Sequence, residues 1–138
     1  MRRRFGLRGV LETLGRRPKI DIVAHQLVER LMQLNDTERC VLADLIATLR
    51  RDFSASRVLL YGSAARDQLQ EGSDIDLLVV LPKVDWEIEK QIVERCFQAE
   101  LKCSRVISAA CFTNDELTRT PLRVSPFVLN VHREGIEL

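Results

Sequence analysis

The chain has 138 residues, the size of one domain with a single core. Hydrophobic residues make up 46% and charged residues 30%, and Gly (6) and Pro (4) are scarce, which excludes a collagen-like or low-complexity chain. No apolar run approaches the ~20 residues needed to cross a bilayer. The basic start lacks both the apolar stretch of a secretory signal and the Ser of a transit peptide, so a cytoplasmic protein with no membrane partner is expected.

The net charge of +1 hides an asymmetry. Residues 1–19 hold Arg2, Arg3, Arg4, Arg8, Arg16, Arg17 and Lys19 against Glu12 alone, a net +6, which leaves the rest of the chain at −5. Such an arm reads as a solvated tail, and the acidic body gives no electrostatic reason to expect a nucleic-acid partner. Four cysteines at 40, 96, 103 and 111 contain no C-x-x-C pair. Only His25 and His132 could join them as soft ligands, and neither stands at zinc-finger spacing, so all four read as reduced core residues.

The basic arm is followed by a segment, residues 20–36, that carries an extra helix. Val23, Leu27, Leu31 and Leu34 recur at helical spacing over residues 20–34, with Val28 and Met32 widening the apolar face. Asn35 with Glu38 three residues on makes a capping box for a second helix bearing Leu42, Leu45, Ile46 and Leu49. Arg57 to Tyr61 is a short apolar strand, broken by Gly62-Ser63, from which a short helix through Asp67 can start. A second strand runs from Ile75 to Leu81 and stops at Pro82.

Residues 85–101 form a helix with Ile88, Ile92, Cys96 and Ala99 on one face, and Trp86 at its start reads as a packing residue. A third strand covers residues 105–112. Thr113 to Glu116 is another capping box, and Ser125-Pro126 opens a last helix that Gly135 closes. Strands alternating with helices predict an α/β or α+β domain, a small mixed β-sheet flanked by helices, over residues 37–138.

The chemistry sits between Tyr61 and Leu81. Gly62 has no side chain to keep a phosphate from the backbone, and the Ser63 hydroxyl and the N–H groups at the helix start offer donors to phosphate oxygens. Arg66 adds a cationic contact or braces the loop. Ten residues beyond Ser63, Asp74 and Asp76 alternate along the strand onto one face. Two carboxylates side by side repel unless a cation holds them, and Mg²⁺, which shares hard oxygen ligands with substrate phosphates, is the natural occupant. The pattern points to a nucleoside triphosphate site.

The string Leu60-Tyr61-Gly62-Ser63-Ala64-Ala65-Arg66, followed by Ser73-Asp74-Ile75-Asp76-Leu77, resembles the minimal nucleotidyltransferase group of the DNA polymerase β superfamily. The resemblance runs to the ending Pro126-Phe127 through Ile136 and implies the nucleotidyltransferase fold, here with an N-terminal helical extension. It further implies Mg²⁺-dependent transfer of AMP from ATP to a hydroxyl. In that assignment Gly62, Ser63 and Arg66 hold the nucleotide, and Asp74 and Asp76 are the catalytic metal ligands. In HEPN-paired members the acceptor is a tyrosine of the partner toxin, so a HEPN-type protein is an implied partner; a homo-oligomer is a further option, and the sequence leaves the oligomeric state open.

One departure stands out: active members carry a third acidic residue on the next strand, and residues 105–112 contain no Asp or Glu. Ser104 or Ser108 could take that place, or Glu100 could reach in. The alternative to an enzyme is therefore a catalytically silent nucleotide-binding or antitoxin-like module. An antibiotic-modifying adenylyltransferase fits less well, since it needs a further substrate domain.

Overall fold

The computed structural model describes Leu31 and residues 33–138. The basic arm and most of the helix expected over 20–34 lie outside the described residues. Of that segment Leu31 and Leu34 are buried in the main core, and a bond from the Leu34 N–H to the Leu31 carbonyl (3.1 Å) turns the chain into the first described helix.

Helix α1 (Asp36–Phe53) starts where the capping box predicts. The Asn35 side chain accepts from the Glu38 N–H (2.8 Å), and the Glu38 carboxylate accepts from the Asn35 N–H (3.0 Å). Leu42, Ala43, Leu45, Ile46 and Leu49 form its buried face. Strand β1 (Arg57–Tyr61) leads through a 3₁₀ turn (Gly62–Ala64) and a loop to β2 (Ile75–Leu81). Helix α2 (Trp86–Cys103) is capped by Asp85, whose side chain accepts from the Ile88 N–H. Strand β3 (Ile107–Thr113), short helix α3 (Asn114–Arg119), a 3₁₀ turn (Pro121–Val124), α4 (Pro126–Glu134) and β4 (Ile136–Glu137) complete the order.

The strands form one mixed sheet in the order β3-β2-β1-β4. The β1–β2 and β1–β4 pairs are antiparallel, while β2 and β3 are parallel and joined by α2 as the crossover such a pair requires. Ile75, Leu77, Val79 and Leu81 of β2 face α1 and α2 in the larger core. Leu78 and Val80 face the other way, packing with Leu59, Leu117, Val128 and Val131 under α3 and α4. Strand β2 is thus covered on both faces from Leu77 onward, and near its start Asp76 is only half-buried.

Three expectations need correction. Cys40 is exposed, not core: two residues before Leu42, it lies about 200° round the helix from the buried face, and only Cys96 of the four cysteines is fully buried. Trp86 is 77% exposed because it lies about 120° round α2 from buried Ile92, while Ile88 of the same turn packs against the core. The third strand begins at Ile107 rather than 105, since Arg105 turns inward to an ion pair. Strand β4, two residues long, is too short to leave a periodic signal. Gly135 does close α4, in an extended conformation (φ −69°) rather than a left-handed one. Its need for glycine is steric, as a Cβ there would lie 2.4 Å from the Val131 carbonyl oxygen.

Candidate active site

The β1–β2 register places Tyr61 directly opposite Asp76, so Gly62 follows at the lip of the sheet beside that carboxylate. Gly62 has φ +75°, a left-handed conformation, and a Cβ on it would lie 2.5 Å from Asp76 Oδ2. The backbone conformation favours glycine, and a Cβ there would require the Asp76 carboxylate to turn aside. The turn closes on itself through bonds from the Ala65 and Arg66 N–H groups to the Gly62 carbonyl (3.1 and 3.2 Å) and from Gln68 N–H to the Ser63 carbonyl (2.8 Å). The Ser63 hydroxyl makes no hydrogen bond to the protein among the described residues. The expected short helix is a single 3₁₀ turn, so donors at this lip rest on individual N–H and O–H groups and not on an appreciable helix dipole.

Asp76 accepts no hydrogen bond and forms no ion pair among the described residues. Burial, then the charge of neighbouring Asp74, raises its pKa above the ordinary carboxylate value. Asp74, exposed just before β2, likewise has no described partner. Tyr61 is raised by burial and by Asp76, and its ring meets Phe127 edge-on at 5.2 Å. Two adjacent carboxylates, one half-buried and neither matched by a protein cation, suit a hard divalent ion with oxygen ligands. Among the described residues no group of three or more His, Cys, Asp or Glu side chains stands ready to hold a metal by itself.

The parallel β2–β3 register sets Ser108 directly beside Asp76. Paired residues share a face of the sheet, so Ser108 occupies the position where a third carboxylate would stand. The other candidates fall away. Glu100 belongs to α2, on the opposite face of the sheet, and its carboxylate accepts from the Ile107 N–H (3.0 Å). Ser104 is the left-handed C-cap of α2 (φ 58°).

Arg66 reaches across to Glu134 of α4 (3.6 Å) and donates to Gln68 Oε1 (3.2 Å), so it braces the turn against the last helix. Both ends of that pair are well exposed, and it adds little stability.

Sequence reasoning missed what holds the loop between Ser63 and Asp74. Gln33 donates to the Ala64 carbonyl and accepts from the Leu69 N–H (3.1 Å). Arg105 donates to the carbonyls of Gln70 (3.1 Å) and Ser73 (2.7 Å), while its Nε pairs with Glu38 at 2.7 Å; the two side chains are 13% and 7% exposed. A groove of about 470 Å³ lies over this clamp, bordered by Asn35, Gly72 and Ser104 among others. The only signal in the sequence was Glu38, read there as half of a capping box.

Residues 42–126 match the family model described as a nucleotidyltransferase domain, and the chain belongs to that family. The match takes in the Gly62-Ser63 turn, Asp74, Asp76 and Ser108. A search of curated proteins found no significant match. Among the described residues no helix is long and apolar enough to cross a membrane.

Proposed function

We propose that this nucleotidyltransferase domain transfers AMP from ATP to a hydroxyl acceptor with Mg²⁺ held by Asp74 and Asp76. The observation that carries the reading is the unpartnered carboxylate pair at the start of β2, set against a glycine that cannot be replaced without striking Asp76. When bound, the ion would neutralise charge on the phosphates and on the oxygens entering and leaving the α-phosphorus. The bare Gly62 backbone admits the phosphate chain, the Ser63 hydroxyl donates to its oxygens, and Arg66 braces the turn that presents both. The acceptor oxygen bonds to the α-phosphorus, the bond to the bridging oxygen breaks, and pyrophosphate leaves. Ser108 can orient an acceptor hydroxyl, but serine is not basic enough to take its proton, which passes to solvent.

By the family resemblance, the acceptor we propose is a tyrosine hydroxyl on a HEPN-type protein partner. A second reading has a specific observation in its favour. Ser108 in the third position supports a domain that binds nucleotide and acts by contacting its partner without turnover. Incubation with α-labelled ATP and Mg²⁺, with and without a candidate HEPN-type partner, separates the two. Label on an acceptor, lost in Asp74→Ala, establishes the transferase; nucleotide binding with no transfer establishes the silent module; no binding overturns both.

A further inference from the structure

Helix α2 carries an apolar stripe that nothing in the described structure covers. Trp86, Val93, Phe97 and Leu101 are 77, 62, 56 and 70% exposed. Their spacing of seven, four and four residues keeps them on one side of the helix along about 22 Å of its length. The buried side of α2 is Ile92, Cys96 and Ala99. On one flank Arg95 reaches Asp52 of α1 (3.6 Å), and on the other Glu100 reaches the Ile107 N–H of β3. At 100° per residue the stripe continues past the Glu100 flank, away from α1 and toward β3. Strand β3 ends the sheet, its outer edge paired with no other described strand.

We propose that this flank, the α2 stripe beside the β3 edge, is the contact between two copies of the chain related by a two-fold axis. Size is the first argument. With an aromatic side chain carrying ~150–250 Å², the four residues expose on the order of 500 Å² per chain, so a symmetric pair covers about 1,000 Å², where specific interfaces begin. Self-complementarity is the second. Two antiparallel copies of α2 that set Val93 against Phe97 across the axis carry Trp86 of each copy toward the Leu101 end of the other, so apolar side chains meet apolar ones along the stripe.

The full chain itself supplies the test, because Trp86 is its one tryptophan. Light scattering after size exclusion at about 100 μM should give twice the 15.8 kDa chain mass. On dilution, dissociation to monomer should coincide with a red shift of tryptophan emission. Phe97→Glu, at an exposed site where the fold is not disturbed, should raise the dissociation constant at least tenfold with unchanged circular dichroism. A monomer with red-shifted emission overturns the proposal. So does a monomer with blue-shifted emission, which means residues of the N-terminal arm cover the stripe. A dimer whose Trp86 emission ignores dissociation, or one indifferent to Phe97→Glu, overturns it as well, the latter by placing the contact elsewhere.

Discussion

Gly62 and Asp76 are in close contact: a Cβ on the glycine would stand 2.5 Å from the carboxylate oxygen, which would have to turn aside, and the glycine backbone is left-handed at φ +75°. The site is therefore shaped by a missing side chain on β1's exit as much as by the two aspartates at the start of β2. Gly62→Ala meets both obstacles. The left-handed backbone alone costs roughly 1–2 kcal/mol, and the clash forces Asp76 out of place. Thermal melting should show a clear fall in stability, and calorimetric titration should show Mg·ATP binding lost. Binding at the native affinity would mean that the turn is not part of the site.

Asp76 is raised first by burial and then by Asp74, with no donor to offset either. A carboxylate raised in the folded state favours folding in its protonated form. That contribution is present at low pH and is lost as pH rises from the ordinary Asp value of 3.8 through the raised one, so at neutral pH the ionised group is a burden on the apo-protein. Asp76→Asn should accordingly leave the melting temperature of the apo-protein unchanged or higher. Stabilisation by Mg²⁺ should vanish in the variant, and in the native protein should fade at a pH above the usual carboxylate range. A marked loss of apo-stability in Asp76→Asn would contradict this account of the pair.

Ser108 lies beside Asp76 where a third carboxylate would complete the set. Ser108→Asp supplies a group able to accept the acceptor's proton, and general bases contribute about 10²- to 10⁴-fold. The transfer rate should rise at least tenfold in the radiolabel assay. The added negative charge should also lower the apo-protein's melting temperature and tighten Mg²⁺ binding. An unchanged rate would show that proton removal at this position does not limit transfer.

The Arg105–Glu38 pair is nearly buried and ties α1 to the loop carbonyls of Gln70 and Ser73. Arg105→Met strips Glu38 of its cation, and breaking such a pair costs about 3–5 kcal/mol. Urea unfolding should show a loss of that order. Hydrogen exchange should speed up at the amides of residues 70–73 more than in the sheet. Uniform loosening would mean that Arg105 supports the core at large and not the approach to Asp74.

Much of this was legible in the chain itself. Local patterns name their own elements: Asn35 and Glu38 close their capping box within four residues, and the unbroken apolar run from Leu77 to Leu81, stopped by Pro82, needs no distant partner to be read. Gly62, Ser63, Asp74 and Asp76 could be singled out because strand alternation and a fixed spacing are properties of short segments. Other features depend on residues far apart in sequence. That Ser108, and not Ser104 or Glu100, stands beside Asp76 follows from a strand register, which sequence pattern alone did not decide between those candidates. Arg105 meets Glu38 across 67 positions, and Arg57 meets Glu137 across 80, through packing that no local pattern encodes. Trp86 is apolar and was expected inside, yet it is exposed because burial depends on what the fold places opposite a side chain as well as on its chemistry. Sequence determined which groups could do chemistry; the tertiary structure decided which of them meet.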